Sequence, residues 1–146
     1  MSTRLPATDW IDRLVDLSLF SDLPKRHVRK IAALAIMRRY QPRDVIVRAG
    51  GPGDGFFVLL EGFVVVKRVG KPDVRLNGGE SFGELALLDG APRTATVEVV
   101  PGDEVLTMWL GRSSFLKMLE QEPKIAIGLL KTMAGRLRAA EKSASH

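Results

Sequence analysis

Apolar residues first recur at helical spacing over residues 8–20, where Trp10, Ile11, Leu14, Val15 and Leu17 share a face and Thr8 or Asp9 is available as N-cap. That pattern predicts an amphipathic helix. A second helical pattern opens at Pro24, with Val28, Ile31, Ala32, Leu34 and Ala35 on one side and Lys25, Arg26, Arg29 and Lys30 on the other. After Pro42 the texture changes to short β-rich runs at 45–47, 56–60, 63–66, 94–97 and 105–109, separated by clusters of Gly, Pro, Asp and Asn. Strands this short and this often interrupted predict a small β-sandwich or barrel, and no strand–helix–strand rhythm accompanies them. From Ser113 helical spacing returns through Phe115, Leu116, Met118 and Leu119. Pro123 then starts a further segment with Ile125, Ile127, Leu129, Leu130, Met133 and Leu137, in which Lys131, Arg136, Arg138 and Lys142 suit a helix C-terminus. The expected layout is one domain over 1–146: an N-terminal helical segment (1–40), a β-core (41–110) and C-terminal helices (111–142).

With 146 residues, 45% hydrophobic and 27% charged, the chain has the length to bury roughly two thirds of its unfolded surface. The absence of cysteine excludes a disulfide scaffold, thiolate metal sites and a cysteine nucleophile, and two histidines leave little for metal. The apolar runs at 56–60 and 63–66 fall far short of the roughly 18 residues of a membrane span. The N-terminus reaches Asp9 and Asp12 before any apolar core, unlike a signal peptide, so a cytoplasmic protein, or the cytosolic portion of a larger one, is expected. The net charge of +5 raises nucleic acid as a partner, but residues 51–100 carry 5 basic and 7 acidic groups and the surplus sits at the two ends.

The chemistry concentrates in residues 82–97, FGELALLDGAPRTATV, which interrupt the strands with one short helical turn. If that turn starts near Gly83, the backbone amides of residues 83–86 lack internal partners, and small side chains let an anion approach them. Pro92 fixes the chain before Arg93, whose planar guanidinium reaches two phosphate oxygens at once; Glu84 offers an acceptor-only carboxylate suited to a sugar hydroxyl. One anion binder and one hydroxyl binder describe a ligand with a single phosphate and a free ribose hydroxyl. A nucleoside 3′,5′-cyclic monophosphate fits.

This segment resembles the phosphate-binding cassette of the cyclic-nucleotide-binding domain family, F-G-E-[LMI]-A followed after a short spacer by P-R-x-A-T-V. Upstream, residues 48–66 resemble the family's strand, Gly-Asp turn, aromatic strand and Gly-ended hairpin, and residues 19–23 match at the front, so the likeness covers nearly the whole chain. It implies a mainly β fold, a β-roll of about eight strands with N-terminal helices and two C-terminal helices. It further implies that Glu84 binds the ribose 2′-hydroxyl, Arg93 binds the cyclic phosphate, and amides of Gly83, Leu85, Ala86 and Ala95 line the same pocket. A residue of the last helix closes the pocket in relatives; Met133, Arg136 and Leu137 are the candidates, Arg136 being able to stack on a purine. Thr94 stands where cGMP-preferring relatives place a threonine, yet cAMP binders carry Thr or Ser there too. One hydroxyl bond is worth about 1 kcal/mol, so cAMP is favoured and cGMP stays open. A departure from the family is Pro42-Arg43-Asp44, where relatives commonly have Gly-Glu after the proline.

The resemblance implies a non-catalytic sensor without a cofactor, whose terminal helices pass occupancy to an attached effector or partner such as a channel, transporter, kinase or other enzyme. Homo-oligomerisation stays open. Two other readings compete. The chain could be the sensor half of a catabolite-activator-type DNA-binding regulator, using the basic face of Lys25, Arg26, Arg29, Lys30, Arg38, Arg39, Arg43 and Arg48. No aromatics alternate with those residues and no helix-turn-helix follows, so direct DNA binding is not expected. Gly79-Glu80-Ser81-Phe82-Gly83 matches the G-x-S-x-G pattern of a small serine hydrolase, but the only histidine downstream is His146. The glycine-rich residues 50–55 lack the Gly-Lys-Ser/Thr of a P-loop and read as a hairpin turn; Trp10 and Trp109 read as packing residues.

Overall fold

The computed structural model describes residues 3–144; His146, on which the hydrolase pattern depends, lies outside the described residues. Nine strands form two antiparallel sheets among the described residues. In the first, β1 (Thr3–Pro6), β2 (Ile36–Tyr40), β9 (Val105–Gly111), β4 (Gly55–Glu61) and β7 (Ser81–Phe82) lie in the order β1-β2-β9-β4-β7. In the second, β3 (Val45–Val47), β8 (Thr96–Val99), β5 (Phe63–Lys67) and β6 (Val74–Asn77) lie in the order β3-β8-β5-β6. The expected mainly β fold with flanking helices is the fold observed.

The first sheet is a wall between two cores, which explains why β4 and β9 read as unbroken apolar runs rather than alternating ones. Phe56, Val58, Leu106, Met108 and Leu110 turn to one side and pack with Phe20, Val28, Ile31, Phe115, Ile125 and Leu129 of the helices. Phe57, Leu59 and Val105 turn to the other side and pack inside the roll with Val64, Phe82 and Val97. Each core has an aromatic pair at the wall: Phe56 and Phe115 with centroids 4.7 Å apart, and Phe57 stacked on Phe82 at 4.9 Å. Alternate residues of β4 therefore tie the helices to the roll.

The N-terminal segment differs from its expectation. In place of one helix over 8–20 there is a 3-10 turn (Ala7–Trp10), a single turn α1 (Ile11–Leu14) and a second 3-10 turn (Ser18–Phe20). Asp16 and Leu17 bond three residues back, to Arg13 and Leu14, and Leu17 is extended at ψ 138°, so the α spacing is lost while Leu14 and Phe20 still reach the core. The N-cap of α1 is Trp10, without a side-chain bond, in place of Asp9; the side chain of Thr8 lies outside the described residues. Two strands, β1 and β2, also fall within the first 40 residues. Helix α2 (Lys25–Leu34) follows Pro24 as expected, and α4 (Arg112–Gln121) and α5 (Pro123–Ala144) close the chain, Pro123 starting α5 where its missing N–H costs nothing. His27 of α2 contacts Glu122 at the α4–α5 junction, 2.7 Å from Nδ1 to Oε1.

The Pro42-Arg43-Asp44 turn has a physical consequence. Arg43 is the one non-glycine described at positive φ, +70°, held by its own N–H to the Val99 carbonyl (3.2 Å) and by the Asp44 side chain accepting from the Gln41 N–H (2.7 Å). A Cβ in the left-handed region costs about 1–2 kcal/mol, against which glycine's extra unfolded-state freedom sets about 0.5–1 kcal/mol. Arg43→Gly is therefore expected to stabilise the chain by about 0.5–1 kcal/mol, read as a rise of a few degrees in melting temperature. An unchanged or lower melting temperature would show that the turn is unstrained.

Candidate functional site

The cassette begins where β7 ends. Gly83 takes φ +96° and turns the chain into α3 (Glu84–Asp89), which closes on Gly90 at φ +71°. Space as well as torsion demands glycine at 83: a Cβ there would lie 2.9 Å from the Gly55 carbonyl oxygen and 3.0 Å from Arg93 Nη1.

After α3 the chain passes Pro92 and docks on the loop between β3 and β4. Arg93 N–H donates to the Gly51 carbonyl (2.9 Å), and Gly50 N–H donates to the Arg93 carbonyl (2.7 Å). Ala49 N–H adds a bond to Thr96 Oγ1 at 3.0 Å. In the same loop a Cβ on Gly53 would lie 2.5 Å from that of Ala86, so α3 sits directly on the loop. Residues 50–55, read from the sequence as a plain turn, are thus the floor of the cassette.

Arg93 is only 8% exposed. Its Nη1 donates to the Gly83 carbonyl (3.1 Å), and its Nη2 donates to the Gly55 carbonyl (2.8 Å) and meets Asp54 Oδ1 at 3.4 Å. Asp54 is largely exposed, so screening weakens that pair; the two carbonyls in the buried corner fix the guanidinium. A guanidinium carries five N–H donors, and these acceptors leave Nε and one Nη1 proton uncommitted among the described residues.

Glu84 is 4% exposed. Its Oε1 accepts from Arg136 Nη1 of α5 (3.1 Å), whose Nη2 donates to the Ser81 carbonyl at 2.6 Å. Its Oε2 is buried with no hydrogen-bond partner among the described residues. Such an atom costs about 1–3 kcal/mol or more when charged, so a donor reaching it, from a water or a ligand, is favoured. Glu84 and Arg93 do not pair with each other: each has its own partner, and the two flank Gly83.

The remaining sequence-named residues separate. Ala86 is buried on the loop, Ala95 is half-buried, and Leu85 and Thr94 are exposed. In α5, Arg136 reaches the cassette through Glu84 and Ser81, which commits the guanidinium expected to stack on a base; Met133 is half-buried and Leu137 faces solvent. Ser81 lies within β7, paired with Val58, while the one described histidine, His27, is engaged with Glu122. Asp54, the Gly55 carbonyl and the Ser81 carbonyl were not foreseen. The signal for the first two was the density of glycine in residues 50–55, but a backbone carbonyl has no sequence signature.

Fold and cassette define a class: an antiparallel β-roll with a short helix set into it, a buried arginine and glutamate around one glycine, and a terminal helix bonded to the glutamate. A family model described as cyclic nucleotide-binding domain matches residues 37–122, more than half of the sequence. The chain belongs to the cyclic nucleotide-binding domain family. It is 36% identical over 109 residues to a cAMP-dependent protein kinase regulatory subunit of Debaryomyces hansenii, covering 74% of this chain and 24% of that protein. It is 39% identical over 116 residues to a cGMP-dependent protein kinase of Caenorhabditis briggsae, covering 75% of this chain and 15% of that protein. The chain thus spans a quarter or less of these relatives' own lengths. A solved structure of cAMP-bound PfPKA-R superposes with a TM-score of 0.83 at 26% identity, over 95% of this chain and 48% of that one.

The Arg136–Glu84 bond yields a prediction for the unliganded chain. Arg136→Ala leaves a buried carboxylate without a donor on either oxygen and is expected to lower stability by about 1–3 kcal/mol in denaturant unfolding. Adding Glu84→Gln recovers part of that loss, because the amide carries no charge to strand. Additive losses in the double variant would show that the two side chains do not depend on each other.

Proposed function

We infer that the chain binds a nucleoside 3′,5′-cyclic monophosphate at the α3 cassette, cAMP in preference to cGMP, and acts as a non-catalytic sensor. The observation that carries this reading is the buried, partnerless Oε2 of Glu84, next in sequence to the Gly83 whose carbonyl steadies Arg93. An unpaired carboxylate oxygen calls for a donor, and a ribose 2′-hydroxyl is one. A guanidinium with two free N–H groups calls for an acceptor anion, and an exocyclic phosphate oxygen is one. In a cyclic monophosphate both groups sit on one rigid bicyclic sugar, so little ligand entropy is lost when both contacts form. Exposed Thr94 leaves a base on the solvent side of the cassette one hydroxyl partner, too little to separate adenine from guanine by much more than tenfold.

The output runs through α5. Arg136 holds α5 to the cassette through the same carboxylate that is to receive the ligand hydroxyl. A hydroxyl on the second oxygen of that carboxylate adds a contact beside the Arg136 bond, and the ligand biases the helix by its difference in affinity for the two helix positions. The effector that reads α5 is an attached module or partner, as in a kinase regulatory subunit or a channel, with the domain on the cytoplasmic side.

Calorimetric titration with cAMP, cGMP and open-chain AMP side by side tests the reading. Saturable binding of cAMP, weaker binding of cGMP and much weaker binding of AMP are expected. Arg93→Ala is expected to weaken cAMP binding about ten- to a hundredfold, from the loss of about 1.5–3 kcal/mol of charged hydrogen bonding. Unaltered cAMP affinity in that variant, or no binding of either cyclic nucleotide by the parent chain, would refute it.

A further inference from the structure

Arg93 is held by the carbonyl of Gly55, and against the Cα of Gly55 lies a tryptophan in an unusual setting. Trp109 of β9 presents its indole Nε1 edge to the Gly55 Cα so closely that a Cβ on Gly55 would fall 1.8 Å from Nε1. Gly111, the β9 partner of Gly55, lies beside the same ring: a Cβ there would fall 3.3 Å from the far carbon Cη2. The Arg38 guanidinium carbon lies 4.1 Å from the ring centroid. The indole therefore lies across a pair of glycines that face each other in the β4–β9 ladder, with a cation over the ring.

This arrangement leaves two buried donors without acceptors among the described residues, Trp109 Nε1–H and Arg38 Nε–H. Buried donors are nearly always paired, and orphans carry a cost. Hydrogen bonding thus opposes this placement of the indole, and the shape of its contact with Gly55 and Gly111 accounts for it. The Gly55 carbonyl is closely surrounded as well: it accepts from Arg93 Nη2 and lies 2.9 Å from where a Cβ on Gly83 would be. Neither Gly55 nor Gly83 has space for a side chain.

We propose that Trp109 is the positioning residue for Arg93: its indole edge, stacked under Arg38 and seated on the Gly55–Gly111 pair, fixes the Gly55 carbonyl that aims the guanidinium into the cassette. The proposal rests on the reading that Arg93 binds the ligand phosphate, and adds that the aim of Arg93 is set from β9, outside the cassette. Smaller rings at 109 fill the space but free the Gly55 carbonyl, and the arginine with it.

The test is a double-mutant cycle on cAMP affinity by calorimetry, with Trp109→Phe in the parent and in the Arg93→Ala background. The expected result is a loss of about tenfold from Trp109→Phe in the parent, of the size of one impaired charged hydrogen bond, shrinking to within about twofold once Arg93 is gone. A loss of the same factor in both backgrounds, or no loss in either, overturns the proposal, since a ring that only packs would act without Arg93. If Trp109→Phe does not fold, Arg38→Met, which removes the cation over the ring, takes its place with the same expected sign and the same dependence on Arg93. A second readout needs no ligand: ¹⁵N spectra of the unliganded chain should show the Arg93 Nη protons slowed by their carbonyl partners, and broadened in Trp109→Phe. Failure of the parent chain to bind any cyclic nucleotide would sink the proposed function alone. The guanidinium spectra would then decide the positioning role, and Arg93 signals identical in parent and variant would overturn it.

Discussion

A guanidinium taken out of water must be compensated on the spot, and in this chain two main-chain carbonyls compensate it. The Gly83 and Gly55 carbonyls accept from Arg93 in a corner where side chains have no room, so the chain must bring a β4 residue, a β7–α3 turn and the segment before β8 within hydrogen-bonding distance. The rest of the architecture serves that meeting. The β4–β7 pairing puts Gly83 beside Gly55, the reciprocal bonds between residues 50–51 and Arg93 lay the returning chain on the loop, and Ala86 is small because Gly53 is beneath it. A buried charge fixed mainly by backbone tolerates little displacement, since each carbonyl that drifts away leaves a desolvated N–H behind.

The glutamate differs in kind. Glu84 is satisfied on one oxygen by a residue 52 positions away, on helix α5. Past Leu129 the described part of α5 is mostly exposed, so the Arg136 bonds are conspicuous among its ties to the body of the fold. The N-terminal segment holds the start of the same helix through His27 and Glu122. On the proposed reading one carboxylate thereby serves both the ligand and the helix, which is the minimum that coupling between occupancy and helix position requires.

Much of this was legible in the residues themselves. The switch from helical spacing to short β runs, and back at Ser113, located the flanking helices and the β-core, and the unusual string of residues 82–97 located the cassette with its glutamate and arginine. What stayed hidden has physical reasons. Strand β2 leaves little trace because Arg38 and Arg39 break its apolar alternation, leaving Met37 and Tyr40 as the buried positions. The 8–20 segment reads as one helix because 3-10 turns present nearly the same apolar face. The floor at residues 50–55 reads as a hairpin because glycine reports freedom of the chain, not the carbonyl it exposes or the neighbour it admits. Trp109 read as packing, which it is, but nothing in its own strand tells that it packs on the residue holding Arg93.

The central claim is that Glu84 senses a sugar hydroxyl while Arg93 holds the phosphate on the same molecule. It is tested most directly by titrating 2′-deoxy-cAMP against cAMP, on the parent chain and on Glu84→Gln. The account predicts that the parent prefers cAMP by about tenfold, the worth of one hydrogen bond to a charged acceptor, and that Glu84→Gln narrows the preference sharply. Equal affinity of the parent chain for the two nucleotides would contradict it.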